Sequence, residues 1–319
     1  MSHRSGVVRR WRLETACDRF ELPERSRYMR IRIGYDIALG LSNPTAIVFL
    51  LRVHSSREST LVGAENFRIE PELEVEDYLD VFGNRCGRVN APAGIIRFLN
   101  HAIVRDTGDP DVYAPEAEES RLGEIPTDTL SFVLPSRYCE VDSGLLDFAW
   151  KRFAAITPGW ARVQAICDFV HSHIRFDYQM ARANRTALDA FKERVGVCRD
   201  FTHLAITLCR CLNIPARYVT GYLGDIGVPP LPDPMDFSAW FEAYLGGRWY
   251  SFDARHNQRR IGRIVIGRGR DAADVPIIMT FGDHRLEKFE AVTEELGSSE
   301  PPHRQNRRDG VAQWFIRIA

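Results

Sequence analysis

Cys198 is the residue of this sequence best placed to act as a nucleophile. It stands in the segment GVCRDFTHLAITLCRCLNIPARY, where Gly196 precedes it and apolar residues follow at helical spacing. A helix that starts near Val197 would place the thiol in its first turn, where the positive end of the helix dipole favours thiolate over thiol. The alternative interpretation is that Cys198 is a packing residue, because free cysteines are among the most buried side chains.

A β-hairpin with polar side chains on one face follows this helix. The segment SAWFEAYLGGRWYSFDA predicts two strands joined at the glycine pair 246–247, with Phe241 opposite Phe252. Position 238 then lies on the polar face, diagonally across from Asp253 and about 7–8 Å from it between backbones. A histidine at 238 would reach that carboxylate. The short hydroxyl of Ser238 would not, and serine is not a base near neutral pH.

The first half of the chain has the pattern of β structure. Short alternating segments across 29–115 are separated by turn signals and show no convincing helix, which predicts an antiparallel sandwich domain. Residues 1–28 carry few periodic signals and are interpreted as an N-terminal extension. The stretch 116–140 contains a segment rich in proline and acidic residues and is interpreted as a connector.

The second half, 141–296, changes character. GLLDFAWKRFAAI and WARVQAICDFVHSHIRF have helical apolar spacing, and the cysteine helix follows them. Strands are then predicted from ARYVTGYLG through VPIIMTFG to RLEKFEAVTEE, so helices precede an antiparallel sheet in an α+β order. Residues 297–319 begin as a polar tail and end in WFIRI, a segment that adds to a sheet edge or is simply exposed.

Composition excludes several classes of partner. The chain has 319 residues, 45% of them hydrophobic, and a net charge of −1, which gives no indication of nucleic-acid or membrane binding. No segment approaches the roughly 18 apolar residues that a membrane span needs. The seven cysteines are scattered and form no CxxC pair, which argues against disulfides or a metal site and predicts reduced thiols in the cytoplasm.

The cysteine segment and the segment AWFEAYLGGRWYSFDARHN together resemble the transglutaminase-like superfamily, over about 160–295. They are similar in particular to bacterial members assigned as cysteine proteases, in which a β-sandwich often precedes the catalytic domain. The resemblance implies an α+β fold with a papain-like core of helices packed on an antiparallel sheet, preceded by an all-β sandwich. A peptide or protein substrate is expected, and no cofactor.

The resemblance also implies a Cys–His–Asp triad. Cys198 matches the nucleophile and Asp253 matches the aspartate that orients the histidine. The histidine of the family immediately precedes an Ala-Trp pair, so its position is held here by Ser238. Trp240 and Tyr244 lie on the same face of the hairpin and are predicted to line the acyl groove, with ordinary sheet packing as the alternative.

Other histidines are not expected to replace the missing one. His203 follows Cys198 by five residues, which places it about 140° around the helix from the thiol. Simple alternation puts His256 on the opposite face from Asp253, unless the strand ends first. His171 and His173 lie on an earlier helix and are interpreted as surface residues.

These patterns predict a thiol enzyme that acts on peptide or amide bonds through a cysteine thioester. Water would resolve the thioester in a protease or amidase, and an amine would resolve it in an acyltransferase. Activity is expected to be impaired by Ser238, so that the chain would be an inactive or weakly active variant. The alternative is a non-catalytic module that binds peptides in the same cleft.

Overall fold

In the computed structural model of the protein, residues 28–230, 235–297 and 316–318 are described. The chain forms two β-sheets and an α+β unit, and both ends of the described chain contribute strands to the two sheets. The whole is the predicted α+β fold class. The predicted extension 1–28 and tail 297–319 lie almost entirely outside the described residues.

The first half is built mainly from strands, with two short 3-10 helices at Ser55–Thr60 and Thr127–Phe132. Alternating burial along β1 turns Ile31, Ile33 and Ile37 into the core, as its sequence pattern predicts. The strands are β1 (Met29–Leu41), β2 (Thr45–Phe49), β3 (Arg68–Glu70), β4 (Glu76–Leu79), β5 (Arg85–Ala91) and β6 (Gly94–Asp106).

The second half begins with helices and continues with strands. The helices are α1 (Leu145–Phe153), α2 (Trp160–His173), α3 (Ala187–Glu193) and α4 (Cys198–Cys211). The strands are β7 (Arg175–Phe176), β8 (Val195–Gly196), β9 (Ala216–Tyr222), β10 (Ser238–Leu245), β11 (Arg248–Phe252), β12 (Ile264–Gly269), β13 (Ile278–Thr280), β14 (His284–Glu295) and β15 (Ile316–Ile318). Within the described ranges, none of the helices is both long and apolar enough to cross a membrane.

The two sheets of the sandwich take strands from both ends of the chain. One has the order β14-β1-β6-β3 and the other the order β15-β13-β2-β5-β4. Strands β13 and β14 therefore pair with β2 and β1, and this corrects the sequence prediction, which grouped them with the sheet of the second half. Alternation identifies the buried face of a strand but not its partner, which explains the difference.

The third sheet, of order β11-β10-β9-β12, positions the chemistry. Helix α4 packs across β10 and β9, and Leu204, Leu208 and Phe241 are fully buried between the helix and the sheet. The opposite face holds a small cluster of Val219, Trp240 and Val265. The packing of α4 on this sheet holds the start of the helix against the hairpin.

Candidate active site

Helix α4 begins at Cys198, so the thiol lies in the first turn as predicted. The Asp200 carboxylate accepts a hydrogen bond from the N–H of Val197 at 2.9 Å, and Arg185 holds the same oxygen at 3.1 Å. A Cβ at Gly196 would lie 2.6 Å from that oxygen, so only glycine permits the chain to enter the helix this closely. Asp200 therefore caps the helix that carries the nucleophile.

A cation stands beside this helix start. The short parallel pairing of β7 with β8 places Phe176 opposite Gly196. The guanidinium carbon of Arg255 lies 3.8 Å from the centre of the Phe176 ring and 5.8 Å from that of Tyr178. Arg255 follows the hairpin in sequence, so the stacking joins the end of the hairpin to the entrance of α4.

The helix that carries the thiol packs against the hairpin. Helix α4 lies on β10, the first hairpin strand, and the backbone N–H of Ala239 in that strand lowers the pKa of Cys198. The hairpin has the predicted register, with Phe241 opposite Phe252. Ser238 is 8% exposed and pairs with Gly221 of β9. The structure therefore brings Cys198 against the strand that begins at Ser238.

Burial controls the protonation of the Cys198 thiol. Its side chain is almost enclosed, and this burial raises the pKa of Cys198 to about 11. The charge of Arg255 and the N–H of Ala239 lower this pKa, and the charge of Asp236 raises it. The expected preference for thiolate at the helix start is thus outweighed, and the resting group is a thiol at neutral pH.

Asp236 is a member of this site that sequence reasoning missed. Its carboxylate accepts a hydrogen bond from the N–H of Phe237 at 2.7 Å, and its charge acts on both Cys198 and Tyr178. Burial raises the pKa of Asp236 to about 7, although the Phe237 N–H and Arg255 both lower it. Its place two residues before Ser238 was the available signal.

Asp253 lies just beyond the end of β11 and starts a single helical turn. One of its carboxylate oxygens accepts the N–H groups of Arg255 and His256, each at 3.0 Å. The other accepts Nδ1–H of His256 at 2.9 Å. The strand ends at Phe252, so the alternation that would place His256 on the opposite face from Asp253 does not reach this residue. Aspartate is a favoured residue at the start of a helical turn, because its carboxylate accepts the N–H groups two and three residues later.

The Asp253 carboxylate is ionised and fully engaged. Burial acts to raise its pKa, but the charge of Arg263 and the hydrogen bonds from His256 outweigh it and hold the pKa of Asp253 far below its usual range. Arg263 donates to Asp253 at 3.0 Å and also pairs with Asp111 at 2.8 Å. The aspartate that matches the family motif thus has a histidine partner, from position 256 instead of 238.

The predicted groove residues are both buried. Trp240 is 1% exposed and lies beneath the guanidinium of Arg263, whose carbon is 5.0 Å from the ring centre. Tyr244 is 8% exposed and packs edge-on against Trp249. In this arrangement both behave as sheet-packing residues, so a role in lining the acyl groove stays a prediction.

The remaining histidines lie in other surroundings. His203 is fully buried and its Nε2 accepts the N–H of Ala272 at 3.1 Å. His171 and His173 donate to the backbone carbonyls of Arg255 and Phe191, each at 2.8 Å. Throughout the described part of the chain, no cluster of three or more His, Cys, Asp and Glu side chains could hold a metal ion.

Comparison with known proteins bears on this arrangement. Residues 151–254, which include Cys198, position 238 and Asp253, match the sequence profile of the transglutaminase-like superfamily. A crystal structure from Cytophaga hutchinsonii, named as a "putative cysteine protease", is 30% identical in sequence with a TM-score of 0.74. The match covers 88% of this chain and 94% of that protein, so the sandwich is included. The chain belongs to the transglutaminase-like superfamily.

Curated relatives of this transglutaminase-like chain come from mycobacteria. An uncharacterized protein of Mycobacterium leprae is 36% identical over 145 residues, which are 44% of this chain and 51% of that protein. An uncharacterized protein of Mycobacterium bovis is 42% identical over 159 residues, which are 46% of this chain and 49% of that protein. The chain thus spans about half the length of these relatives.

Proposed function

We propose that this transglutaminase-like chain is a thiol enzyme that acts on peptide or amide bonds through a thioester on Cys198, with activity lowered by Ser238. One observation carries the proposal: Cys198 lies in the first turn of α4, and this helix packs against β10, the strand that begins at the position of the family histidine. The likeness to the Cytophaga hutchinsonii protein supports the choice of peptide bonds over other acyl groups.

In this proposal the Cys198 sulfur attacks the carbonyl carbon of the scissile amide, the amine leaves and an acyl thioester remains. Water or a second amine then releases the acyl group. Backbone N–H groups at the start of α4, including that of Cys198, are donors that suit the oxyanion of the tetrahedral intermediate. A thiol with a pKa of about 11 needs a partner that takes its proton, which Ser238 cannot do.

The loss of an imidazole at 238 is expected to be costly. In a serine protease, removal of the triad histidine lowers kcat by about 10⁶. A cysteine depends less on its base, because its thiolate forms in part without one. The leaving amine must nevertheless be protonated, so slow turnover of amides is expected.

Restoring the imidazole tests this function. The Asp253 carboxylate already accepts a hydrogen bond from His256. Both Ser238→His and the double variant Ser238→His/His256→Asn should therefore be made. Hydrolysis of peptide p-nitroanilide and γ-glutamyl amide libraries should rise at least about 100-fold above the parent in one of them. The gain must disappear when Cys198→Ala is added. Equal rates in parent and both variants on every substrate would remove the proposed mechanism.

The second candidate is a peptide-binding module without catalysis. The raised pKa of Cys198, about 11, and the serine at position 238 favour it, since both reduce nucleophilic power. This function predicts that Cys198→Ala retains full affinity in fluorescence anisotropy with a labelled peptide library. Cys198→Ala would also lose covalent labelling by peptide thioesters. Neither the parent nor the variant would turn over a substrate.

The proposal includes a compartment and a partner. The described cysteines are all free and buried, which suits a reducing environment such as the cytoplasm. A peptide or a protein segment is the proposed substrate. Fractionation of cells that express the tagged full-length protein checks the compartment.

A further inference from the structure

The guanidinium of Arg255, at the entrance of α4, is available to bind an anion. Among the described residues, Arg255 forms no ion pair within 4 Å, whereas Arg263 pairs with Asp253 at 3.0 Å. Arg255 is half-buried, so part of its side chain remains open to a ligand. A guanidinium offers five N–H donors in a planar fork that matches the two oxygens of a carboxylate.

Two aromatic rings place this guanidinium beside the helix start. Its carbon lies 3.8 Å from the centre of the Phe176 ring and 5.8 Å from that of Tyr178. Phe176 pairs with Gly196 in the short parallel ladder, and the N–H of Asp177 donates to the Gly196 carbonyl at 3.0 Å. Cys198 follows Gly196 by two residues and starts α4. The cation therefore lies on a segment that is hydrogen-bonded to the chain entering the helix of the nucleophile.

The position of Arg255 is fixed at both ends of the residue. Its N–H donates to the Asp253 carboxylate at 3.0 Å, and its carbonyl accepts Nδ1–H of His171 at 2.8 Å. Stacking on Phe176 holds the plane of the guanidinium and leaves the N–H donors at its edge accessible. Because the side chain is positioned before a ligand arrives, binding an anion there costs little additional ordering.

Described carboxylates of this region are engaged elsewhere or only partly charged. Asp177 pairs with Arg175 at 2.8 Å. Burial raises the pKa of Asp236 to about 7, so near neutral pH this carboxyl is charged in only part of the molecules. The charge of Arg255 lowers the pKa of Cys198, which agrees with a cation on the thiol side of the site.

We propose that Arg255 binds a carboxylate of the substrate, and so makes the site selective for peptides or amides that carry an acidic side chain or a free terminal carboxylate close to the bond that Cys198 attacks. This inference rests on the proposed function, since it takes the entrance of α4 as the substrate site. A carboxylate in the plane of the stacked guanidinium accepts two parallel hydrogen bonds. A neutral substrate gains neither these bonds nor the charge attraction, so it binds more weakly.

Two alkylating reagents test for this subsite at the thiol itself. Iodoacetate carries a carboxylate, and iodoacetamide is its neutral amide of nearly the same size. Trypsin releases Cys198 in the peptide VGVCR, which contains no other cysteine, so mass spectrometry gives the rate of each reaction at this residue. Both reagents react with the same thiolate, so the ratio of the two rates does not depend on the pKa of the thiol. The ratio of iodoacetate to iodoacetamide rates should be about 10-fold lower in Arg255→Gln than in the parent.

Matched variants separate a binding role from a structural one. Arg248→Gln is the control, because this exposed arginine also stacks on a ring, that of Tyr250 at 4.9 Å, but at the opposite end of the hairpin. It should keep the parental ratio. Arg255→Lys keeps the charge without the planar fork and should give an intermediate ratio. A parental ratio in Arg255→Gln overturns the inference, and so does an equal fall in Arg248→Gln.

Protection of Cys198 against iodoacetamide identifies the source of the carboxylate. Acetyl-alanyl-glutamate amide carries a side-chain carboxylate, acetyl-alanyl-glutamine carries a terminal one, and acetyl-alanyl-glutamine amide carries neither. At least one of the two acids should slow alkylation of the parent more than the neutral peptide does, and this difference should vanish in Arg255→Gln. Equal protection by all three peptides contradicts the inference.

The same measurements distinguish failure of the inference from failure of the proposed function. If the rate ratio and the protection depend on Arg255, but an imidazole at position 238 brings no amide hydrolysis, the carboxylate subsite stands and the proposed function fails. If Cys198 reacts with neither reagent, even at pH 9, no ligand reaches the thiol and both are overturned.

Discussion

Asp236 makes the protein less stable as the pH rises. Its pKa of about 7 lies above the ordinary value of 3.8, so the folded state holds the proton more tightly than the unfolded chain. Its contribution is most favourable below about pH 4, and stability is lost as the pH rises through 7. A difference of about three pKa units corresponds to about 4 kcal/mol in full, and partial exposure reduces it to about 1–2 kcal/mol.

Asp236→Asn should therefore be more stable than the parent at alkaline pH. Urea denaturation at pH 5 and pH 8 should show that the parent loses about 1–2 kcal/mol more of its free energy of unfolding between these values than the variant does. Asp283→Asn, which removes an exposed carboxyl, should follow the parent. Parallel losses in parent and Asp236→Asn would contradict a raised pKa at this position.

At the level of elements, one buried side chain ties the sandwich to the third sheet. Asn84, in the turn before β5, is fully buried. Its Oδ1 accepts the backbone N–H of Arg268 at 2.7 Å, and its Nδ2 donates to the Arg268 carbonyl at 2.8 Å. Arg268 lies on β12, so these bonds complete the backbone of an edge strand of the third sheet with a side chain from the sandwich.

Asn84→Ala should weaken the whole chain. The substitution leaves the buried N–H and carbonyl of Arg268 without these partners, which costs about 2–4 kcal/mol. Chemical denaturation followed by tryptophan fluorescence measures the change. Asn90→Ala, an exposed asparagine on the same β5 strand, is the matched control and should change stability by less than about 0.5 kcal/mol. Equal effects of the two substitutions would show that Asn84 does not join the units.

Local features of this fold were predictable, and non-local ones were not. The hairpin register follows from the two-glycine turn, and the start of α4 follows from apolar spacing after Gly196. The residues that act on Asp236 come from segments up to 60 residues away in the sequence. No local sequence pattern brings these segments together. The turn that returns His256 to Asp253 depends on where β11 ends, and strand ends are set by tertiary packing.

For the molecule as a whole, the sandwich is closed by the end of the chain. Strand β14 pairs with β1 from Leu41 to Ile31, and β13 pairs with β2. The stretch 29–115, which the sequence predicted as a domain, therefore contains only part of either sheet. Without β14, the buried strand β1 becomes an edge with unpaired backbone groups.

The isolated stretch 29–115 is consequently expected not to fold. It should give the far-ultraviolet circular dichroism spectrum of a disordered chain, and its amide proton chemical shifts should show the narrow dispersion of an unfolded chain. The same stretch joined by a flexible linker to 276–296, which contains β13 and β14, should recover β signal and a cooperative melting transition. A control fusion with the order of residues 276–296 scrambled should not. Cooperative unfolding of 29–115 alone would mean that the C-terminal strands only cover a domain that is already complete.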